Sequence, residues 1–200
     1  FACLRLAGEG RIRRLHILRR GFDYPVDRLF KPMLFNISPR ISLAEPRDRR
    51  KDLAAFVPGV KSWTKNVVTN IFGAALCEAV GSVVTYADIS EYPYPVNGKI
   101  SRIEFLEKEK LTSYARADIA LNVSTVDNHP MTNIEAQAMG VPCLRSPLFL
   151  DALEHHPYVS LTTVSDAGSV RDIEMRDIVL DYQAQSDRVS LERYQEFLEV

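Results

Sequence analysis

Apolar and polar positions follow two regimes along this chain. Residues 1–50 show no clean period, and Pro25, Pro32, Pro39 and Pro46 punctuate them every seven residues. Proline removes a donor and restricts its predecessor, so no long element fits there. A short strand leading into Gly21 and another at Met33–Ile37 are the most this stretch predicts. From residue 52 the pattern becomes regular. Leu53 to Val57 is an apolar run stopped by Pro58-Gly59. Residues 65–80 put Val67, Val68, Ile71, Phe72, Ala75, Leu76, Ala79 and Val80 on one face, the spacing of an amphipathic helix. Gly81 then reads as its stop.

Strands and helices alternate from there. Ser82 to Tyr86 is β-branched and predicts a strand, and Tyr92 to Gly98 a turn-rich loop. Ile100 to Leu106 predicts a third strand, residues 107–116 a helix and Ala117 to Val123 a fourth strand. Met131 to Met139 predicts a helix closed by Gly140, and Val141 to Leu144 a fifth strand. A short helix over 148–155, a sixth strand from Tyr158 to Val164 and helix beyond 167, broken near Ser186, complete the pattern. Alternation of this kind means βαβ units and a parallel sheet. The predicted fold class is α/β, a Rossmann-like doubly wound parallel sheet over residues 52–186. Residues 1–51 read as a basic linker or the remnant of a preceding domain, and residues 187–200 as a C-terminal helix.

Composition narrows the class without naming a function. The chain has 200 residues, 46% hydrophobic and 26% charged, as in an ordinary globular domain. Its net charge of −1 selects no partner, but the distribution is uneven. Residues 1–52 carry 13 Lys and Arg against 6 Asp and Glu, and the remainder 12 against 20. A basic front could touch anionic lipid or nucleic acid, or be only a solvated linker rich in arginine. Cys3, Cys77 and Cys143 lack metal spacing; Cys77 in a helix and Cys143 in an apolar strand fit buried thiols, and the odd count fits a reducing, cytoplasmic setting. No apolar run approaches the ~20 residues of a membrane span, and no signal peptide is visible. A start at Phe1 fits a domain excised from a longer protein.

The chemistry concentrates in one loop. Ser124 to Thr132 follows a strand and feeds a helix amino terminus, where an open α/β sheet binds anions. Pro130 suits the first helical turn, and the amides of Met131, Thr132 and Asn133 would point at a phosphate. Asn128, His129, Thr132 and Asn133 can donate or accept. Asp127 or Asn128 could equally cap the helix. Glu135 reads as lying in the first turn of a helix whose Ala136, Ala138 and Gly140 permit close packing. Its carboxylate suits ribose hydroxyls, or simply the helix dipole. Lys65, with Lys61 nearby, sits in the first strand-to-helix connection and can reach a diphosphate or be an ordinary loop lysine. His16, His129, His155 and His156 stand at no metal spacing. Gly-x-Gly-x-x-Gly, P-loop and Gly-x-Ser-x-Gly patterns are absent, which disfavours nicotinamide, P-loop and serine-hydrolase chemistry.

Residues 100–145 resemble the nucleotide-sugar-binding, C-terminal domain of two-Rossmann (GT-B) glycosyltransferases, above all the retaining family 4 type. That family places an acid, seven residues, then Glu-Ala-x-Ala-x-Gly-x-Pro. Here Asp127 stands first and Glu135, Ala136, Ala138, Gly140 and Pro142 match. Leu111 to Ile119 resembles the helix and strand before that site. Lys65-Asn66 matches the lysine of the first loop. His16 to Asp23, with Phe30 and Pro32, resembles the interdomain stretch. Asp127-Asn128-His129 replaces the usual Glu-Phe-Gly, and Gly59 and Val60 stand where an arginine is usual.

The resemblance implies specific roles. Glu135 would bond the ribose, and the stretch His129, Pro130, Met131 and Thr132 would hold the diphosphate. Asp127 would face the sugar, and Phe105 and Leu106 would meet the base through their backbone. Lys65 would stabilise the departing diphosphate. It implies sugar transfer with retention in glycan biosynthesis, a nucleotide-diphosphate-sugar donor, no metal or other cofactor, and an acceptor-binding domain in cis or trans. A non-catalytic nucleotide-binding or regulatory module with the same fold is the alternative. Contact of the basic segment with an anionic membrane can accompany the first reading, with no nucleic acid expected; the third reading is an interaction domain whose basic front binds a membrane or nucleic acid.

Overall fold

The computed structural model describes residues 2–12, 15–17, 30–33, 38, 52–59, 63–92, 98–106, 110–125, 131–146 and 174–199. Five parallel strands form the main sheet: β3 (Leu53–Val57), β4 (Val80–Thr85), β5 (Ile100–Arg102), β6 (Ile119–Asn122) and β7 (Cys143–Arg145), in the order β5-β4-β3-β6-β7. A separate parallel pair joins β1 (Leu15–Ile17) to β2 (Phe30–Met33). The helices are α1 (Ala2–Gly8), α2 (Val67–Leu76), α3 (Lys110–Ala115), α4 (Met131–Ala138) and α5 (Glu174–Glu199).

Side-chain alternation sorts the core onto the two faces of the sheet. Ala55 and Val57 of β3 and Ile119 and Leu121 of β6 pack with Val67, Ile71 and Ala74 of α2. Phe56 and Ala120, one residue out of step, pack with Tyr114 of α3 and Ala136 of α4. Strands covered on both faces read as unbroken apolar runs, and β6 and β7 are buried at every position. The edge strand β5 instead exposes Ser101 and Arg102. Arg102 pairs with Asp88 at 3.0 Å, which places charge along an otherwise open edge.

The fold is thus the predicted α/β doubly wound sheet, with several boundaries moved. The helix expected over 65–80 ends at Leu76, and Cys77 is extended with φ −70° and ψ 126°. Ala79 and Val80 are apolar because they enter the sheet, not because they continue the helix. Gly81 accordingly lies inside β4 and stops nothing. It is glycine because a Cβ there would come within 2.6 Å of the Asp52 Cβ. The strand expected from Ile100 to Leu106 pairs only as far as Arg102. No break occurs near Ser186, where Gln183–Asp187 and Gln185–Asp181 side-chain bonds brace successive turns of α5. Helix α1 falls in the segment without a clean period. The second early strand is centred before Met33, and residues 34–37 lie outside the described residues, as do the elements expected over 148–155 and 158–164.

Candidate functional site

Sheet order fixes where a ligand can enter. The chain runs outward from β3 through β4 to β5, then crosses back to place β6 on the other side of β3. The connections after β3 and β6 therefore lead to opposite faces of the sheet, and the carboxyl ends of these two strands form the switch point at which open α/β sheets bind ligands. Lys65 lies in the first connection, and Ser124 to Thr132 forms the second.

Asn70 holds these two connections together. It lies three positions after Val67, on the buried face of α2, and is 1% exposed. Its Nδ2 donates to the carbonyls of Lys65 at 3.3 Å, Asn66 at 2.8 Å and Val123 at 3.1 Å. Its Oδ1 accepts from the Val123 amide at 3.1 Å. One side chain thereby imitates a strand partner for Val123 and fixes the start of α2. The Thr125 amide donates to the Thr64 carbonyl at 2.9 Å, a second tie between the two connections. Between these ties Asn66 adopts the left-handed conformation, φ 52° and ψ 33°, immediately after Lys65. Asn is among the few residues with a side chain that visit that region readily.

A second polar network seats the amino end of α4 on the sheet. Asn122 Nδ2 donates to Asn133 Oδ1 at 2.9 Å, and Ser124 Oγ donates to Asn122 Oδ1 at 2.9 Å. Ser146 Oγ donates to the Ser124 carbonyl at 2.6 Å, and Cys143 Sγ approaches Asn133 Oδ1 at 3.5 Å. All five residues are buried. The Asn133 side chain, expected to face a ligand, is thus committed to the interior. Burial pushes the Cys143 thiol up to about 12, with Arg145 opposing the shift. That thiol is therefore a neutral packing group.

Helix α4 begins at Met131, so Glu135 lies in its second turn and not in the first. The dipole's pull on an acid fades beyond the first turn, so another partner must hold this carboxylate. Glu135 is 8% exposed, and Glu135 Oε2 accepts from the Tyr114 hydroxyl at 3.2 Å. Burial, with the Glu135 carboxylate adding to it, pushes the Tyr114 hydroxyl above the ordinary tyrosine value.

Tyr114 also ends a line of rings that crosses the sheet. Phe105 meets Tyr86 at 5.1 Å, Tyr86 meets Phe56 at 5.3 Å, and Phe56 meets Tyr114 at 5.0 Å, all edge to face. Phe105, half-exposed beyond β5, is thereby connected through packing to Glu135 on α4. Leu106 follows Phe105 and is half-buried.

Of the residues named from sequence, Lys65, Met131, Thr132, Asn133, Glu135, Phe105 and Leu106 lie on the carboxyl side of the sheet. Lys61, Asp127, Asn128, His129 and Pro130 lie outside the described residues. Asn70, Asn122, Ser146 and Tyr114 were not anticipated, and Ser124 only as the first residue of the loop. Two left a signal: Asn70 interrupts an apolar helix face, and Asn122 interrupts an apolar strand. Among the described residues no group of three or more His, Cys, Asp and Glu could hold a metal ion. No described helix is long and apolar enough to cross a membrane.

Neither a family model nor a curated protein matches this sequence. Solved structures do match its fold. The lipopolysaccharide outer core galactosyltransferase WaaB superposes with a TM-score of 0.60 at 13% identity, over 91% of this chain and 60% of that one. HepE of Anabaena, crystallised with UDP, gives 0.57 at 12% identity, over 75% and 50%. WaaG, a glycosyltransferase involved in lipopolysaccharide biosynthesis, gives 0.56 at 12% identity, over 82% and 52%. The chain thus spans half to three-fifths of the length of these solved chains. It shares the Rossmann-like α/β fold of GT-B glycosyltransferases.

Proposed function

We propose that this chain is the donor-binding domain of a glycosyltransferase, acting on a nucleotide diphosphate sugar. The observation that carries this reading is the switch point between β3 and β6. There Asn70 ties the connection bearing Lys65 to the connection that leads into α4 and Glu135. The fold shared with WaaB and HepE, the latter crystallised with UDP and with UDP-glucose, supports the choice of ligand class.

In this reading the diphosphate lies at the amino end of α4, against the amides of Met131 and Thr132. The helix dipole and the Lys65 ammonium offset its charge. Lys61 and the loop Asp127-Asn128-His129-Pro130 complete the cradle, with Asp127 toward the sugar. Glu135 accepts from the ribose, and the Phe105–Leu106 backbone meets the base. As the glycosidic bond breaks, negative charge builds on the departing diphosphate. Fixed positive charge and fixed amides at that place lower the barrier without reorganising. Lysine and amides supply this without a metal, and transfer proceeds with retention of the anomeric configuration. The acceptor is read by a further domain, in cis or in trans, and the basic segment before residue 52 contacts anionic membrane.

The test is sugar transfer by the protein carrying both domains, in excess chelator, with the product anomer read by NMR. Transfer that survives chelation, retains configuration and drops at least tenfold in Lys65→Ala supports the reading. Metal dependence or inversion would refute the corresponding part of it. Asp127 in place of the usual glutamate, and Gly59 and Val60 in place of an arginine, favour one alternative, a non-catalytic nucleotide-binding module. Nucleotide binding with no transfer to any acceptor would establish that alternative.

A further inference from the structure

The structure assigns Tyr114 as the positioning residue for Glu135: its buried hydroxyl fixes the carboxylate in the orientation that accepts the ribose. This rests on the reading of Glu135 given above.

The hydroxyl is what needs explaining, because packing alone does not call for it. Tyr114 is wholly buried, and its ring sits edge to face on Phe56 at 5.0 Å. Phenylalanine would fill that place. A hydroxyl buried at that depth is costly unless it is bonded. It is bonded, to Glu135 Oε2 at 3.2 Å. The partners come from two helices, with Tyr114 on α3 and Glu135 on α4, so the bond also fixes how α4 sits. Glutamate has three side-chain torsions, and in the second turn of α4 the dipole does little to choose among them. The rigid ring of Tyr114, itself wedged by Phe56, fixes Oε2 of that carboxylate.

The donor's chemistry suits this task. A lysine or arginine here would neutralise the carboxylate and compete with the ribose for it. A phenol orients the carboxylate and leaves its charge in place. An ionised carboxylate has about four acceptor sites, and the phenol takes one of them. Burial beside a carboxylate keeps the phenol protonated, so it stays a donor across the working pH range. Tyr114 touches no reacting atom in this account. It acts through Glu135, and its effect must appear as ribose selectivity and not as a general loss of affinity.

That selectivity is the experiment. UDP, GDP and ADP are titrated into the parent chain by calorimetry, together with the 2′-deoxy and 3′-deoxy forms of whichever binds. In the parent, removing the hydroxyl that meets Glu135 should weaken binding roughly tenfold or more, as for a hydrogen bond to a charged group. Tyr114→Phe should weaken the ribonucleotide by a similar factor and leave the deoxy form unchanged, so that the preference falls to threefold or less. In Glu135→Ala the preference should be absent, and adding Tyr114→Phe should change nothing further.

A Tyr114→Phe protein that is less stable but keeps the parent's ribose preference overturns the proposal alone. A parent without ribose preference, or a preference that survives Glu135→Ala, overturns the role of Glu135. No binding of any of the three overturns the nucleotide reading and the proposal with it. A second measurement covers a Tyr114→Phe protein that does not fold. The parent's Tyr114 hydroxyl proton should exchange slowly and resonate downfield, and it should shift in Glu135→Ala. An unmoved signal would mean that the phenol does not hold that carboxylate.

Discussion

Replacing Asn70 should damage this protein more than the loss of one polar side chain suggests. The side chain is 1% exposed and bonds four backbone groups, two of them the amide and carbonyl of Val123, itself 7% exposed. Alanine removes both partners of Val123 and leaves that peptide edge buried. An unsatisfied buried group costs ~1–3 kcal/mol, so two such groups give about 4 kcal/mol for Asn70→Ala. In a domain of this size 1 kcal/mol moves Tm by ~2–4 °C, so the expected fall is about 8–16 °C. Asn70→Asp separates hydrogen bonding from volume. It keeps the acceptor for the Val123 amide but puts a carboxylate oxygen against the three carbonyls that Nδ2 now serves. At pH 7 it should cost at least as much as alanine. The deficit should narrow as pH falls, because a protonated carboxyl regains a donor. Urea unfolding provides the assay, with the midpoint moving at constant slope. An Asn70→Asp protein within about 1 kcal/mol of the parent at pH 7 would refute the tie between the two connections.

Three further outcomes follow from individual residues. Gly140→Ala should cost ~1–2 kcal/mol for the left-handed backbone at φ 71°, plus a contact with the Arg176 side chain at 2.8 Å. Arg176→Ala should recover only the contact, so a double-mutant cycle measured by urea unfolding should show coupling between the two sites. The Tyr86 hydroxyl is buried with no hydrogen-bond partner among the described residues. Tyr86→Phe should therefore hold or raise stability, by up to ~1 kcal/mol, whereas Tyr114→Phe should lower it. The Cys143 thiol is raised from an ordinary value of 9.0 to about 12, so the unfolded chain loses this proton first. Relative to Cys143→Ala, the parent's stability should hold steady below pH 8. Between pH 9 and 12 it should fall by about 1.4 kcal/mol per pH unit.

Local pattern made the fold legible wherever one residue's environment decided its type. The apolar runs at β3 and β6 are buried on both faces, and Gly140 ends α4 at a positive φ, as their sequences imply. The elements that carry Lys65 and Glu135 could be placed at the switch point because the order of strands and helices puts them there. What escaped depended on distant partners. Nothing near Tyr114 marks it as bonding a residue 21 positions on, nor Asn70 one 53 positions on. The end of α2 escaped for a different reason. Ala79 and Val80 extend the apolar face in register, and only their entry into β4 separates strand from helix. Gly81 misled likewise, because close approach to Asp52 and a helix stop both select glycine.

Nucleotide binding through Glu135 can be read from the ligand-dependent stability of the parent and of Glu135→Ala. UDP, GDP and ADP, and their common sugar conjugates, are titrated while thermal unfolding is followed. A ligand at a hundred times its Kd stabilises the folded chain by about 2.7 kcal/mol, a shift of several degrees. At least one nucleotide should raise the Tm of the parent by that amount, and the same concentration should raise that of Glu135→Ala by no more than about half as much, as for a tenfold weaker site. Equal shifts in both proteins, or none in the parent at millimolar nucleotide, would contradict nucleotide binding through Glu135.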